Sequence, residues 1–208
     1  MKKIIAAVLA IMMTLTVSLA FAKIVEPDGS DLEHFAGKTI HASVGNYNAD
    51  DKTFTVTVYD NDRYDDDDVE KLAVGDMVVA GGYLYTITGE QDVDGTRIFL
   101  CDVGEEIYFE KAYDNDDDLI CRSTFDDRIF MNVVTVLHLP VAEDIVYEDN
   151  SDPDLDAKPV IARGLDAILK AQAEKEENSI GFDYYATTVT INENMEMVKI
   201  HQDFDVSQ

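Results

Sequence analysis

The sequence predicts a mainly β, α+β fold: an antiparallel β-barrel or sandwich of short strands, one covering α-helix near residues 159–177, and a C-terminal hairpin. Three observations predict it. Apolar and polar side chains alternate at period two through most of the chain. Gly and Asp corners recur roughly every 8–12 residues, the spacing of small all-β domains. One stretch switches to helical spacing, with Ile161, Leu165, Ile168, Leu169 and Gln172 along one stripe.

Taken in order, residues 23–37 carry little periodicity and read as an N-terminal extension. In 39–44, Ile40, Ala42 and Val44 alternate with polar neighbours, and Phe54, Val56 and Val58 do the same in 53–59. Asn46 to Lys52 is the turn between them. Asp60 to Glu70 is too acidic to pack and is expected as a solvated excursion or a short helical turn. Gly81-Gly82 joins Met77–Ala80 to a return strand bearing Tyr83, Tyr85 and Ile87, a two-residue hairpin signal. Asp94-Gly95 turns the chain into 96–101, followed by Ile98 and Leu100. Strands at 105–113 and 119–124 follow, separated by an acidic break at Asp114 to Asp118. A turn at Asp126-Asp127 leads into a strand from Ile129 that Pro140 stops after Leu139.

Pro159 suits the first turn of the helix. Gly164 inside it costs about 1 kcal/mol against Ala and suggests close approach to a sheet. Lys170 and Lys175 suit its C-terminal half, and Asn178 its C′ position. The hairpin at 187–204 pairs Thr187–Ile191 with Met195–Phe204 across Asn192-Glu193-Asn194, with Val198 and Ile200 on one face.

Residues 1–22 read as a Sec-type signal peptide. Lys2 and Lys3 precede an apolar run from Ile4 to Leu19, and Ala20-Phe21-Ala22 fits the small-x-small cleavage pattern. The run is shorter than the roughly 20 residues a spanning helix needs. The expectation is therefore cleavage after Ala22, a secreted or periplasmic mature chain without a membrane span, and one β-rich domain over 38–208. The balance of 16 Lys+Arg against 43 Asp+Glu gives a formal charge of −27. Nucleic acid and anionic membranes are disfavoured, because their phosphates call for Lys and Arg. An apolar content of 46% argues against a disordered acidic tail.

Calcium is the obvious ion for an exported, Asp-rich chain, with Asp60, Asp62, Asp65, Asp114 and Asp116 as candidate ligands. A hard cation needs six to eight oxygens gathered by a turning backbone. The competing reading is that these acids are solvated turns that keep edge strands apart. Glu90-x-Asp92-x-Asp94-Gly95 resembles the start of an EF-hand loop, but Cys101 stands where the twelfth-position Glu belongs, so a true EF-hand is rejected.

Export would let Cys101 and Cys121 form a disulfide. A simple meander, however, puts them about 9.5 Å apart across an intervening strand, beyond the ~7 Å bridging limit. A bridge would need a different pairing order or a crossing between two sheets. His34, His41, His138 and His201 show no metal-ligand spacing. His41 and His201 would converge with Asp203 if the first and last strands paired. No nucleophile elbow or phosphate loop is present. Tyr83, Tyr85, Tyr108, Tyr113, Tyr184 and Tyr185 could line a binding face or pack a core.

These features favour a non-enzymatic module binding an extracytoplasmic ligand or protein, with possible calcium stabilisation. The alternatives are a secreted hydrolase using a carboxylate pair, or an inhibitor or envelope-assembly module acting on a basic partner.

Overall fold

The computed structural model describes residues 19–20, 32–112, 115–152, 154, 157–177, 182–183 and 185–203, with the side chains of 19–20, 32–33, 115–117 and 175–177 left aside. The fold is β-rich, as the alternation predicts. In chain order the strands are β1 (Leu19–Ala20), β2 (Thr39–Asn48), β3 (Thr53–Asn61), β4 (Arg63–Asp65), β5 (Met77–Ala80), β6 (Tyr83–Val93) and β7 (Thr96–Cys101). They continue as β8 (Glu106–Ala112), β9 (Asn115–Ser123), β10 (Met131–Asn150), β11 (Val160–Arg163), β12 (Thr187–Ile191) and β13 (Met197–Asp203). Two α-helices are described, α1 (Asp66–Glu70) and α2 (Leu165–Glu177), besides a 3-10 turn at Leu32–Phe35. The chain divides into two compact units, one of residues 1–24 and 61–131, called the 61–131 unit, and the other of residues 25–60 and 132–208.

The 61–131 unit is a sheet in the order β1-β5-β6-β7-β8-β9-β4. Strands β6 to β9 form the meander read from sequence. Its corners have the turn chemistry that their residues dictate. Gly81 and Gly82 both take positive φ, as do Asp94 and Gly95, which suits primed hairpin turns. The core contains Tyr64, Leu72, Val78, Ile87, Phe99 and Ile107. β1, inside the stretch read as a leader, pairs in parallel with Met77 and Val78 of β5.

The other unit has the order β11-β10-β13-β12-β2-β3, and β3 also pairs with β10. Five strands therefore close on themselves in the ring β2-β3-β10-β13-β12. The β10–β13 pair is parallel, whereas β2–β3, β12–β2 and β12–β13 are antiparallel. Helix α2 lies in sequence between the third and fourth ring strands. This is the five-stranded Greek-key closure of an OB-type barrel. Its core takes the predicted inward set, including Ala42, Val44, Phe54, Val56 and Val58, along with Ile168 from α2.

Several elements differ from the sequence expectation, each for a physical reason. β2 runs on to Asn48 through a register shift between Val44 and Tyr47, so the turn is shorter than 46–52. The acidic 60–70 segment is not wholly solvated: Asp62 and Tyr64 are 2% and 1% exposed, and Val69 of α1 is buried. Tyr64 finds apolar cover and a carbonyl for its hydroxyl, which outweighs the charge of its neighbours. On β7 Ile98, Phe99 and Cys101 are all buried and Leu100 is half-buried, so strict alternation is lost. Four consecutive apolar residues there leave the parity unreadable.

The acidic break at 114–118 is largely strand, because β9 begins at Asn115. β10 continues through Pro140, which sits just before pairing with β13 begins at Val141. A residue without an N–H is tolerated where the strand changes partners. Helix α2 starts at Leu165, not Pro159. Residues 160–163 pair with β10 as β11, leaving Ile161 60% exposed. Gly164 takes φ +83 at the joint and nothing lies within 4 Å of an added Cβ, so it serves as a turn rather than a close-packing point. On β13 the inward residues are Met197, Ile200 and Gln202, and a shift opposite Thr190/Ile191 displaces Val198. Asn178 lies outside the described residues.

Candidate functional site

The calcium candidates do different jobs. Asp60 is exposed at the end of β3, and Asp65 is exposed on β4, where its backbone pairs with Asp118. Asp62 is buried, and its Oδ2 accepts the Gly81 N–H at 2.5 Å. Beside it the Tyr64 hydroxyl donates to the Val79 carbonyl at 2.6 Å. Asp114 and the side chain of Asp116 lie outside the described residues. Among the described residues, no three His, Cys, Asp or Glu side chains gather as metal ligands. Asp92 of the EF-like stretch caps its own turn, accepting from Gly95 N at 3.1 Å. Glu90 and Arg97 pair at 2.7 Å.

Cys101 and Cys121 are free thiols on the strands flanking β8, both buried in the core of the 61–131 unit. The meander that argued against a bridge is the pairing found. Burial, then the nearby Asp102 and Glu105, push the Cys101 thiol up to about 11. Burial also raises the Cys121 thiol well above its ordinary value, with Asp62 adding to it. Neither is a thiolate at neutral pH, so neither is an activated nucleophile. Tyr85, also buried there, is raised to about 12 by burial first and Glu105 second. Tyr108 is half-buried and hydrogen-bonds to Asp127, whereas Tyr83 and Tyr185 are exposed. Tyr113 and Tyr184 lie outside the described residues.

The histidines separate. His41 and His201 both stand opposite Thr188, on either side of β12, so one strand intervenes. The anticipated convergence fails for His41 and holds for Asp203, whose Oδ1 lies 3.0 Å from His201 Nε2. Glu148 faces the other ring nitrogen at 3.5 Å and pairs with Lys199 at 2.6 Å. The Lys199 hydrogen bond holds the Glu148 carboxyl below the usual carboxylate range. Because the two acids lie on opposite edges of the His201 ring, they do not aim at a common ion.

A better-formed site lies on the barrel, and of its lining residues only His138 is a site candidate from the sequence. Pairing between β10 and β13 begins at Val141↔Met197. Before it, Val136–Pro140 run past the β12–β13 turn, and between them opens a half-open pocket of about 350 Å³. Val136, Leu137, Leu139, Pro140 and Met195 supply apolar walls, and His138 and Asn194 the polar groups. The turn is fixed by Asn192, whose Oδ1 accepts from the N–H groups of Asn194 and Glu196, each at 2.9 Å. That bracing holds Met195 at φ +61, an unfavourable region for a side chain of this kind. On the other flank, Thr55 Oγ1 of β3 lies 3.5 Å from His138 Nδ1. The signals available in the sequence were the apolar run from Val133 to Leu139, with no dry face preferred, and a methionine inside a polar turn. Comparison with family models, curated proteins and solved structures finds no match for this chain.

Proposed function

We propose that this chain is an exported binding module whose apolar ligand seats in the pocket between β10 and the β12–β13 turn. The pocket carries the reading. Its volume and its mostly apolar lining with two polar groups are those of small-molecule sites. Its place supports the reading too: in five-stranded barrels of this type the face of strands two and three and the loops joining strands one to two and four to five carry ligands. Here the third ring strand and the turn between the fourth and fifth line it. The charge of −27 argues against an oligonucleotide in that position. The leader-like residues 1–22 support export.

The neutral dye N-phenyl-1-naphthylamine tests the pocket. Saturable, one-to-one fluorescence enhancement is expected with the wild-type chain. Val136→Glu should weaken binding at least about tenfold, because a carboxylate would be buried against the ligand. Val136 is 51% exposed in the free protein, so the melting midpoint should stay put. Absence of saturable binding, or equal binding by the variant, would overturn the pocket reading.

A further inference from the structure

The turns at one end of the 61–131 unit expose more large apolar surface than folding requires. Phe125 is 94% exposed, Tyr83 and Val103 are each 70% exposed, and Leu84 is 55% exposed. Register places them together. Ile87 pairs with Cys101, and Ile107 with Ser123, so the β5–β6, β7–β8 and β9–β10 connections all leave by the same end. They are also tied to one another: an added Cβ on Gly81 would lie 3.0 Å from the Phe130 ring. Ser123 hydrogen-bonds to Glu105, and Thr124 N donates to the Glu106 carbonyl at 2.9 Å.

Phe125 is exposed on a braced loop. Its N–H donates to Ser123 Oγ at 3.2 Å, Ser123 N to the Arg128 carbonyl at 2.9 Å, and Phe130 N to the Cys121 carbonyl at 3.0 Å. Tyr108 adds its bond to Asp127. A fixed, solvated phenyl ring is what an interface anchor looks like before its partner arrives, with little ordering left to do.

Charge identifies the partner. Asp102, Glu105, Glu106, Asp126 and Asp127 lie on these turns, five acids against Arg122, which is buried and pairs with Asp127, and Arg128, which pairs with Asp126. A second copy at a chain charge of −27 would set acid against acid, and an anionic membrane would be repelled. We infer that this end of the 61–131 unit docks a basic protein segment carrying an apolar side chain. The apolar side chain covers Phe125 while Lys or Arg meet the surrounding carboxylates.

The test uses the full chain and a twelve-residue peptide of alternating Lys and Leu, beside a Lys/Ser peptide of equal charge. The Lys/Leu peptide should bind one-to-one, weaken with added salt, and bind roughly tenfold better than the Lys/Ser peptide. Phe125→Ser should remove most of that advantage without moving the melting midpoint, and Val103→Ser a smaller part. Ile161→Ser, an exposed residue on β11, should bind like wild type. Equal binding of the two peptides, or no effect of Phe125→Ser, would reduce the surface to diffuse charge and overturn the inference. So would Phe125-dependent capture by phosphatidylcholine vesicles, or a dimer that Phe125→Ser abolishes.

Discussion

In the barrel the last gap between strands is spanned by main chain, β3 against β10, whereas in the 61–131 unit β4 and β5, which are not neighbours in the sheet order, are tied through two side chains, Tyr64 to Val79 and Asp62 to Gly81. A main-chain seam repeats over several residues and survives most substitutions. A side-chain seam concentrates the same task in Tyr64 and Asp62, where one atom's loss opens it. The difference also bears on binding. The ring presents its pocket beside the point where main-chain pairing lapses, while the 61–131 unit presents exposed apolar groups on its turns.

Breaking the side-chain seam should produce the largest effect. Asp62→Ala removes a buried, charged acceptor from the Gly81 N–H and should destabilise the 61–131 unit by about 3 kcal/mol. Hydrogen exchange resolved by residue is the measurement. Protection should fall across β4 to β9 and hold in β2, β12 and β13. Equal loss in both sets would mean that the two closures are not independent.

The corresponding weak point of the barrel is milder. Where the β2 register shifts after Val44, the buried Gln172 amide of α2 donates to the Val44 and Gly45 carbonyls, at 3.3 and 2.9 Å. Gln172→Ala should cost about 1–2 kcal/mol, since neutral bonds are lost rather than a charged one. Urea unfolding with probes in β2 would show it, and an unchanged midpoint would mean that water replaces the amide without loss.

The smallest effect is expected in alkali. Tyr85 ionises near 12 in the folded unit and near 10 when unfolded. Its folded value is raised, so its contribution is full below about pH 10 and is lost as pH rises from there through about 12. Burial pushes Tyr64 in the same direction. Tyr85→Phe should therefore flatten the alkaline decline of the 61–131 unit, as followed by melting midpoints on either side of about pH 10. An identical decline in the variant would remove Tyr85 as its cause.

The period-two alternation made most of the strands legible, and the Gly81-Gly82 and Asp94-Gly95 corners fixed two hairpins outright. What stayed hidden was long-range. Nothing local distinguishes a proline that ends a strand from one that sits where a strand exchanges partners, so β10 read as half its length. Residues 160–163 fit a helical stripe as well as an edge strand, and only Gly164 at positive φ separates them. Of the candidate site residues, Asp62 stood out by its acidic company, yet its carboxylate is used to join strands. The pocket was illegible because its two walls lie more than fifty residues apart along the chain and meet only through the parallel pairing of β10 with β13.

One contact governs the order of assembly. Asp62 N donates to the Phe130 carbonyl at 3.1 Å, so the two ends of the inserted 61–131 stretch are stapled together. Once that stretch has folded, the end of β3 and the start of β10 are already neighbours, and the closure entropy of the long excursion between them has been met in advance. During synthesis the β2–β3 hairpin can pair early, but the closure of β3 against β10 must wait until the insert has emerged. The insert acts as a clasp, and lesions that slow its collapse should delay maturation of the barrel even though they touch none of its strands.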